Sequence, residues 1–353
     1  MLLDETGETM GRIAIAVLML GCAALSARQF EEAPEPHVIV IGVDGLSVDG
    51  VATAGGPALR GLMARGAWSL EARGVMPTLS SPNWMSMISA AGPEEHGITS
   101  NGYLKRMQEI APACRDASGG FPNIFGALRA QRPASRIAIF HDWPGFAKLV
   151  ERNVPDVMEH QRGPQRTAQA AIEYWKRYRP ELLFIHLDNV DHAGHRSGWS
   201  SREYYRAVEE ADRQIGAILA MLREAAALDS TFVLVTSDHG GKGHNHGGNS
   251  LAEIQIPWIL AGPGVAPGEI AASVFTYDTG ATLAWIFELQ PPACWIGRPV
   301  LAAFQPAVVA MRASVIGGNS GCLAAGAQPG PASIAKAAAR FEGPRAEGGG
   351  SQQ

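Results

Sequence analysis

Three observations predict an α/β fold. Compact β-branched runs recur along the chain, helical periodicity lies between them, and acidic and imidazole side chains fall just after the runs. Strand, helix, strand alternation of this kind builds a mostly parallel sheet covered on both faces. The chain has 353 residues, enough for one large α/β domain or two ordinary ones. Its 29 basic and 34 acidic residues leave a net charge of −5, which offers no field for nucleic acid, so no nucleic-acid-binding surface is expected. A composition of 46% hydrophobic and 18% charged residues excludes wholesale disorder and coiled coil.

Taken in order, Ile13 to Ala27 is an uncharged apolar run preceded by Arg12. It is shorter than the roughly 20 residues a spanning helix needs, and it fits a secretory signal with small residues at Leu25-Ser26-Ala27. Residues 1–36 are therefore read as a signal peptide and short linker, with Met10 as the true start because Asp4, Glu5 and Glu8 precede it without a basic residue. Cys22 follows Met19-Leu20-Gly21, which loosely resembles a bacterial lipoprotein box, so a lipid anchor at Cys22 is the alternative to simple release. The expected compartment is outside the cytoplasm, periplasmic or extracellular, with no transmembrane span in the mature chain. Cys114, Cys294 and Cys322 are too few and too widely spaced for a disulfide framework; buried or free thiols are expected, with one bridge allowed.

His37 to Val43 reads as a buried strand, followed by Arg136 to Phe140, Leu182 to Leu187, Thr231 to Thr236 and Ile254 to Leu260. The clearest helix carries Tyr204, Val208, Ala211, Ile215, Ile218 and Leu222 at steps of three or four. Asn101 to Gly120 and His141 to Pro164 are expected to form a less regular cover, in which Tyr103, Phe121, Trp143 and Phe146 either line a pocket or simply pack. Residues 37–305 form the expected domain. Residues 306–353 are rich in Ala, Gly and Pro and read as a mostly disordered tail, with room for a short helix over Ala307 to Val315.

Six of the ten histidines, His186, His192, His195, His239, His244 and His246, crowd between 186 and 246 together with Asp188, Asp191 and Asp238. Imidazole and carboxylate together suit Zn²⁺ or a similar first-row ion, and two clusters at neighbouring strand ends have room for two. Asp191 and His195 stand four apart around Gly194, a spacing that favours chelation. Asp238 and His239 follow a buried strand, where two ionisable groups are costly without an ion partner. His246 lies on a glycine-rich loop able to fold back as a last ligand, with His244 as its rival. A nucleophile is available in Met76-Pro77-Thr78-Leu79-Ser80-Ser81-Pro82-Asn83-Trp84, where Ser80 or Ser81 falls near a helix N-terminus that favours phosphate. Simple N-capping ahead of Pro82 is the plainer alternative.

The ordered set Val43-Asp44-Gly45, Pro77 to Asn83, Pro93-Glu94-Glu95-His96-Gly97-Ile98, Asp191 to His195, Ser237-Asp238-His239-Gly240 and His246-Gly247 resembles the alkaline phosphatase superfamily, in particular its type I phosphodiesterase/nucleotide pyrophosphatase branch. The resemblance implies a three-layer sandwich around a central mostly parallel sheet, and two divalent cations of the zinc kind. It implies Ser80 as nucleophile, with Asp44, Ser80, Asp238 and His239 around the first cation and Asp191, His195 and His246 around the second. Asn83 matches the family's phosphate-oxygen donor, and Trp84 replaces the His that commonly follows it. Trp84 also stands where a sulfatase signature requires Arg, which argues against a formylglycine sulfatase.

A metal-dependent phosphoester hydrolase acting on a small-molecule phosphoester through a phosphoserine is therefore expected. The same intermediate serves a phosphomonoesterase or a phosphotransferase. From another class, the alternative is a non-catalytic metal-stabilised protein that binds a phosphorylated ligand. His186, His192 and Asp188 are left as partners that orient ligands or as caps.

Overall fold

The structure is a computed structural model and describes residues 35–103 and 110–319. The expected signal peptide, Cys22, Cys322 and the tail beyond 319 lie outside the described residues. Among the described residues eight strands form one sheet in the order β4-β3-β5-β1-β6-β7-β2-β8. The strands are β1 (His37–Val43), β2 (Ala67–Arg73), β3 (Ile137–His141), β4 (Val157–His160), β5 (Leu182–Leu187), β6 (Thr231–Thr236), β7 (Gln255–Ala261) and β8 (Gly268–Glu269). From β4 to β6 every pairing is parallel, while β7 runs antiparallel to both β6 and β2.

Because β-strand side chains alternate, each central strand feeds two cores. Ile39, Ile41, Leu183, Ile185, Val233 and Val235 face the helices α1 (Val48–Ala54), α2 (Pro57–Arg65), α6 (Pro164–Tyr178) and α8 (Arg202–Glu224). On the opposite face Phe184 meets Trp84 of α3 (Ser80–Ser89) and Phe125 of α5 (Ile124–Gln131), and Trp258 bonds Thr279 of α10 (Asp278–Ile286). This is the expected sandwich. The long helix α8 buries Tyr204, Val208, Ala211, Ile215, Ile218 and Leu222, the stripe read from the sequence.

Two short helices, α4 (Pro93–His96) and α9 (Leu251–Ile254), and α7 (Asn189–Ser197) complete the ordered connections of this unit, which ends at Gln305. Beyond it, α11 (Pro306–Asn319) extends past the short helix expected there. Phe146 is buried and packs on Trp84 and Phe184, whereas Phe121, also buried, borders a small cavity together with Tyr103. Cys114 and Cys294 form a disulfide, so the expectation of free thiols gives way to the one bridge allowed. No described helix is long and apolar enough to cross a membrane.

Candidate metal centre and nucleophile

β5, β1 and β6 lie side by side, and the residues just past their C-terminal ends are Asp188, Asp44 and the Asp238-His239 pair. Open parallel sheets bind ligands at these ends. Gly45, at φ +70°, turns the chain sharply after Asp44, and a Cβ there would come 2.8 Å from the Asp191 Cα. The loops are therefore in contact, and only glycine permits it.

Asp44 is 1% exposed. Its Oδ2 accepts the Trp84 indole N–H at 3.0 Å and pairs with His186 Nε2 at 3.1 Å, while Oδ1 has no hydrogen-bond partner and lies 3.4 Å from His239 Nε2. Trp84 and His186 thus hold one oxygen of the acid and leave the other bare. Asp238 repeats the pattern: Oδ1 accepts the Gly45 N–H at 3.1 Å, and Oδ2, without a partner, lies 3.2 Å from His239 Nε2. Asp191 keeps Oδ1 bare at 3.6 Å from His246 Nε2, with Oδ2 3.5 Å from His195 Nε2.

The three imidazoles carry their protons on the far side. Nδ1 of His239 meets Gly240 O at 2.8 Å, that of His195 meets His244 O at 2.9 Å, and that of His246 meets Thr78 O at 2.8 Å. A carbonyl only accepts, so each Nδ1 is the donor and each Nε2 is turned toward the cluster. His195 Nε2 and His246 Nε2 lie 3.1 Å apart. Three buried carboxylate oxygens without a hydrogen-bond partner, on Asp44, Asp238 and Asp191, face His239 and His246 and make a donor set that fits a cation. Donor atoms of Asp44, Asp238 and His239 lie within 4.8 Å of one another, as do those of Asp191, His239 and His246.

Electrostatics agree. Burial, and then the charges of Asp238, Asp191 and Asp188, hold the Asp44 carboxyl well above its ordinary range. Burial likewise pushes Asp238 up to about 7 and Asp188 up to about 8. Burial lowers His239 and His246. The cluster resists carrying its negative charge alone and keeps those two imidazoles neutral.

Ser80, first residue of α3, places Oγ 3.3 Å from His239 Nε2. The preceding loop is fastened to the His246 loop: Thr78 Oγ1 donates to Gly248 O at 2.8 Å and accepts from Gly247 N at 3.0 Å. Asn83 is placed otherwise than expected. It is fully buried, its Nδ2 donates to the carbonyls of Val75, Pro77 and Leu79, and its Oδ1 accepts from Val75 N, so it holds the loop that leads to Ser80 and has no donor left for a phosphoryl oxygen. Asn101 sits nearer that task, since its Oδ1 accepts the Ser81 N–H at 2.8 Å. Its Asn101-Gly102 pairing reads as an ordinary turn in sequence, so nothing marked it. Glu253 bonds Gly248 N and Ser250 N and so shapes the loop after His246, and the Ser250-x-x-Glu253 capping box is its signal in the sequence.

Of the other candidates, His186 is fully buried behind Asp44, and burial holds it down at about 3. His192 pairs with Asp188 at 3.5 Å from a mostly exposed position. His244 bonds the His195 carbonyl at 3.2 Å and stays on the surface, which leaves His246 as the histidine of this loop that reaches the cluster.

The model of the type I phosphodiesterase / nucleotide pyrophosphatase family matches residues 38–254. Ectonucleotide pyrophosphatase/phosphodiesterase family member 1 of Mus musculus is 23% identical over 293 residues, 78% of this chain and 32% of that protein. Venom phosphodiesterase 2 of Crotalus adamanteus is 23% identical over 234 residues, 62% of this chain and 28% of its own length. The chain thus spans about a third or less of these curated relatives. Murine ectonucleotide pyrophosphatase/phosphodiesterase 5 superposes with a TM-score of 0.62 at 16% identity, covering 72% of this chain and 96% of that one. A variant of the alkaline phosphatase PafA gives 0.65 at 12% identity, covering 78% and 100%. These two likenesses establish the alkaline-phosphatase-like fold. With its own family model matched over most of its length, the chain belongs to the type I phosphodiesterase/nucleotide pyrophosphatase family.

Proposed function

We propose that the chain is an exported, metal-dependent phosphodiesterase that works through a phosphoserine on Ser80 at a site for two divalent cations, both zinc, with residues 37–305 as its catalytic domain. The observation that carries this reading is the Ser80 hydroxyl, 3.3 Å from His239 Nε2 and beside carboxylates that each keep a bare oxygen. Asp44, Ser80, Asp238 and His239 would hold the first cation, and Asp191, His195 and His246 the second. When bound, such ions supply the Lewis acidity that lowers the cost of an alkoxide and of a departing oxyanion.

The chain's own residues do the rest. Ser80 Oγ gives up its proton to solvent and attacks phosphorus in line with the leaving oxygen, forming the P–Oγ bond as the ester bond breaks and the departing alkoxide takes a proton from water. The positive end of α3 favours the charge on the phosphoryl group. Asn101, its Oδ1 already engaged by Ser81 N–H, offers its amide hydrogens to a phosphoryl oxygen. Water then attacks the phosphoserine and frees Ser80. Among the described residues no Arg or Lys is bonded to Ser80, Asn101 or the donor set, an arrangement that suits a monoanionic diester better than a dianionic monoester. Murine ectonucleotide pyrophosphatase/phosphodiesterase 5 has been solved in complex with AMP, which makes nucleotide diesters the first natural substrates to try. Relatives named as ectoenzymes or venom enzymes, and the Cys114–Cys294 disulfide, support export.

The test is elemental analysis with hydrolysis of bis-p-nitrophenyl phosphate and p-nitrophenyl phosphate, before and after chelation, in wild type and Ser80→Ala. Two ions, a chelator-sensitive preference for the diester, and a loss of at least about a thousandfold in the variant are expected. Near-full turnover by Ser80→Ala, or activity in metal-free protein, would overturn it.

A further inference from the structure

Trp199 supplies no ligand atom, yet the loops that carry the donors meet on it. It follows Gly198, the residue that ends α7 at φ +90°. Its backbone N–H donates to Gly243 O at 2.7 Å, which ties it to the turn leading to His246. Its indole N–H donates to Gly45 O at 3.0 Å, the residue after Asp44. The ring covers two glycines so closely that a Cβ on Gly194 would lie 2.6 Å from it and one on Gly241 2.2 Å. It stands edge-on to His195 at 5.4 Å and to His246 at 5.9 Å.

His195 is held relative to Asp191 by one turn of α7, but His246 arrives on a loop whose Gly243 and Gly247 take φ of +60° and +107°. Such a backbone does not by itself fix the distance between two rings. The indole fills the space against both, and Gly194 and Gly241 have no side chain that would displace it.

We propose that Trp199 is a positioning residue for the second cation group, its indole setting the approach of His195 and His246. The proposal rests on the two-cation reading above. Partners of this kind, one step removed from the ligands, change metal affinity by about 10–100-fold when lost.

Chelator-stripped wild type, Trp199→Phe, Trp199→Ala and Gly241→Ala are titrated with Zn²⁺ by calorimetry, with Trp295→Phe as a remote control. Wild type and control take up two ions. Trp199→Ala keeps the first step within about threefold and weakens the second by about 10–100-fold, with activity recovered at high free Zn²⁺, a rescue that a general packing defect does not give. Phe, which keeps a ring over the glycines, recovers most of the second step. Gly241→Ala, which pushes the intact indole out, weakens the second step and serves as the test if Trp199→Ala fails to fold. Equal weakening of both steps, or an unchanged second step in Trp199→Ala or Gly241→Ala, would overturn the role of Trp199 while leaving the two-cation reading intact. Uptake of fewer than two ions by wild type would instead defeat that reading, and this proposal with it.

Discussion

Individual acids at this centre are built against their own charge. Asp188 and Asp238 are held at about 8 and about 7 instead of an ordinary 3.8, burial being the main cause. In the unfolded chain these carboxyls are ionised by pH 6.5, whereas the folded, metal-free protein still holds their protons. Folding takes up protons in that range, so stability falls as pH rises through the folded values. The buried imidazoles act in the opposite sense until the unfolded chain has lost their protons, about one pH unit above their ordinary 6.5: His96 and His186 are held at about 3, and His141, His239 and His246 are lowered, all chiefly by burial. Above about pH 7.5 the carboxyls dominate. Chelator-stripped protein is therefore expected to lose Tm between about pH 7.5 and 8.5, while metal-loaded protein, its carboxylates already ionised, stays level. A rising Tm in the stripped protein would contradict the pairing of buried acids with cations. The clustering of these acids and imidazoles is legible in sequence because such residues after buried strands are conspicuous. The place of Asn83 is not legible in sequence, because its hydrogen bonds to Val75, Pro77 and Leu79 depend on how the loop before Ser80 closes.

At the scale of elements, the strands that could be read are the central ones. β1, β5 and β6 are buried on both faces and appear as continuous β-branched or apolar runs, with the expected limits. β2 and β4 escaped notice because both carry charged or half-exposed residues and β4 is four residues long at the sheet edge. Gly42 shows how one element fixes another. It interrupts an otherwise branched strand, and a Cβ there would lie 2.4 Å from the Trp84 ring. The glycine lets α3 settle onto β1 so that the Trp84 indole reaches Asp44 while Ser80 reaches His239. Gly42→Ala is expected to cost about 1–3 kcal/mol by overpacking and to loosen cation binding along with it. Urea unfolding of the metal-free variant and Zn²⁺ titration of the folded fraction check both. Wild-type values in each would mean that the helix position is set elsewhere.

Over the molecule as a whole, the site is assembled between a rigid sheet and an irregular cover, and the disulfide belongs to the cover. Cys114 and Cys294 are 180 residues apart and join the segment that follows Asn101 to the stretch after α10, where Ile296 N and Gly297 N also bond Ala90 O at the end of α3. A crosslink over so long a loop mainly restricts the unfolded chain. The sequence could not reveal the pairing, since among Cys114, Cys294 and Cys322 any two could meet and only the fold decides which do. Asn101 is secured to Ser81 by its own hydrogen bond at 2.8 Å, independently of the disulfide. Stability and catalysis should therefore separate: Cys114→Ser with Cys294→Ser is expected to lower unfolding free energy by about 2–4 kcal/mol while leaving diester turnover within a few-fold below the unfolding transition. Denaturant melts beside initial rates at 25 °C, about the reference temperature for such energies, make the comparison. A collapse of turnover in protein that remains folded would place the disulfide within the machinery that holds Asn101, not beside it.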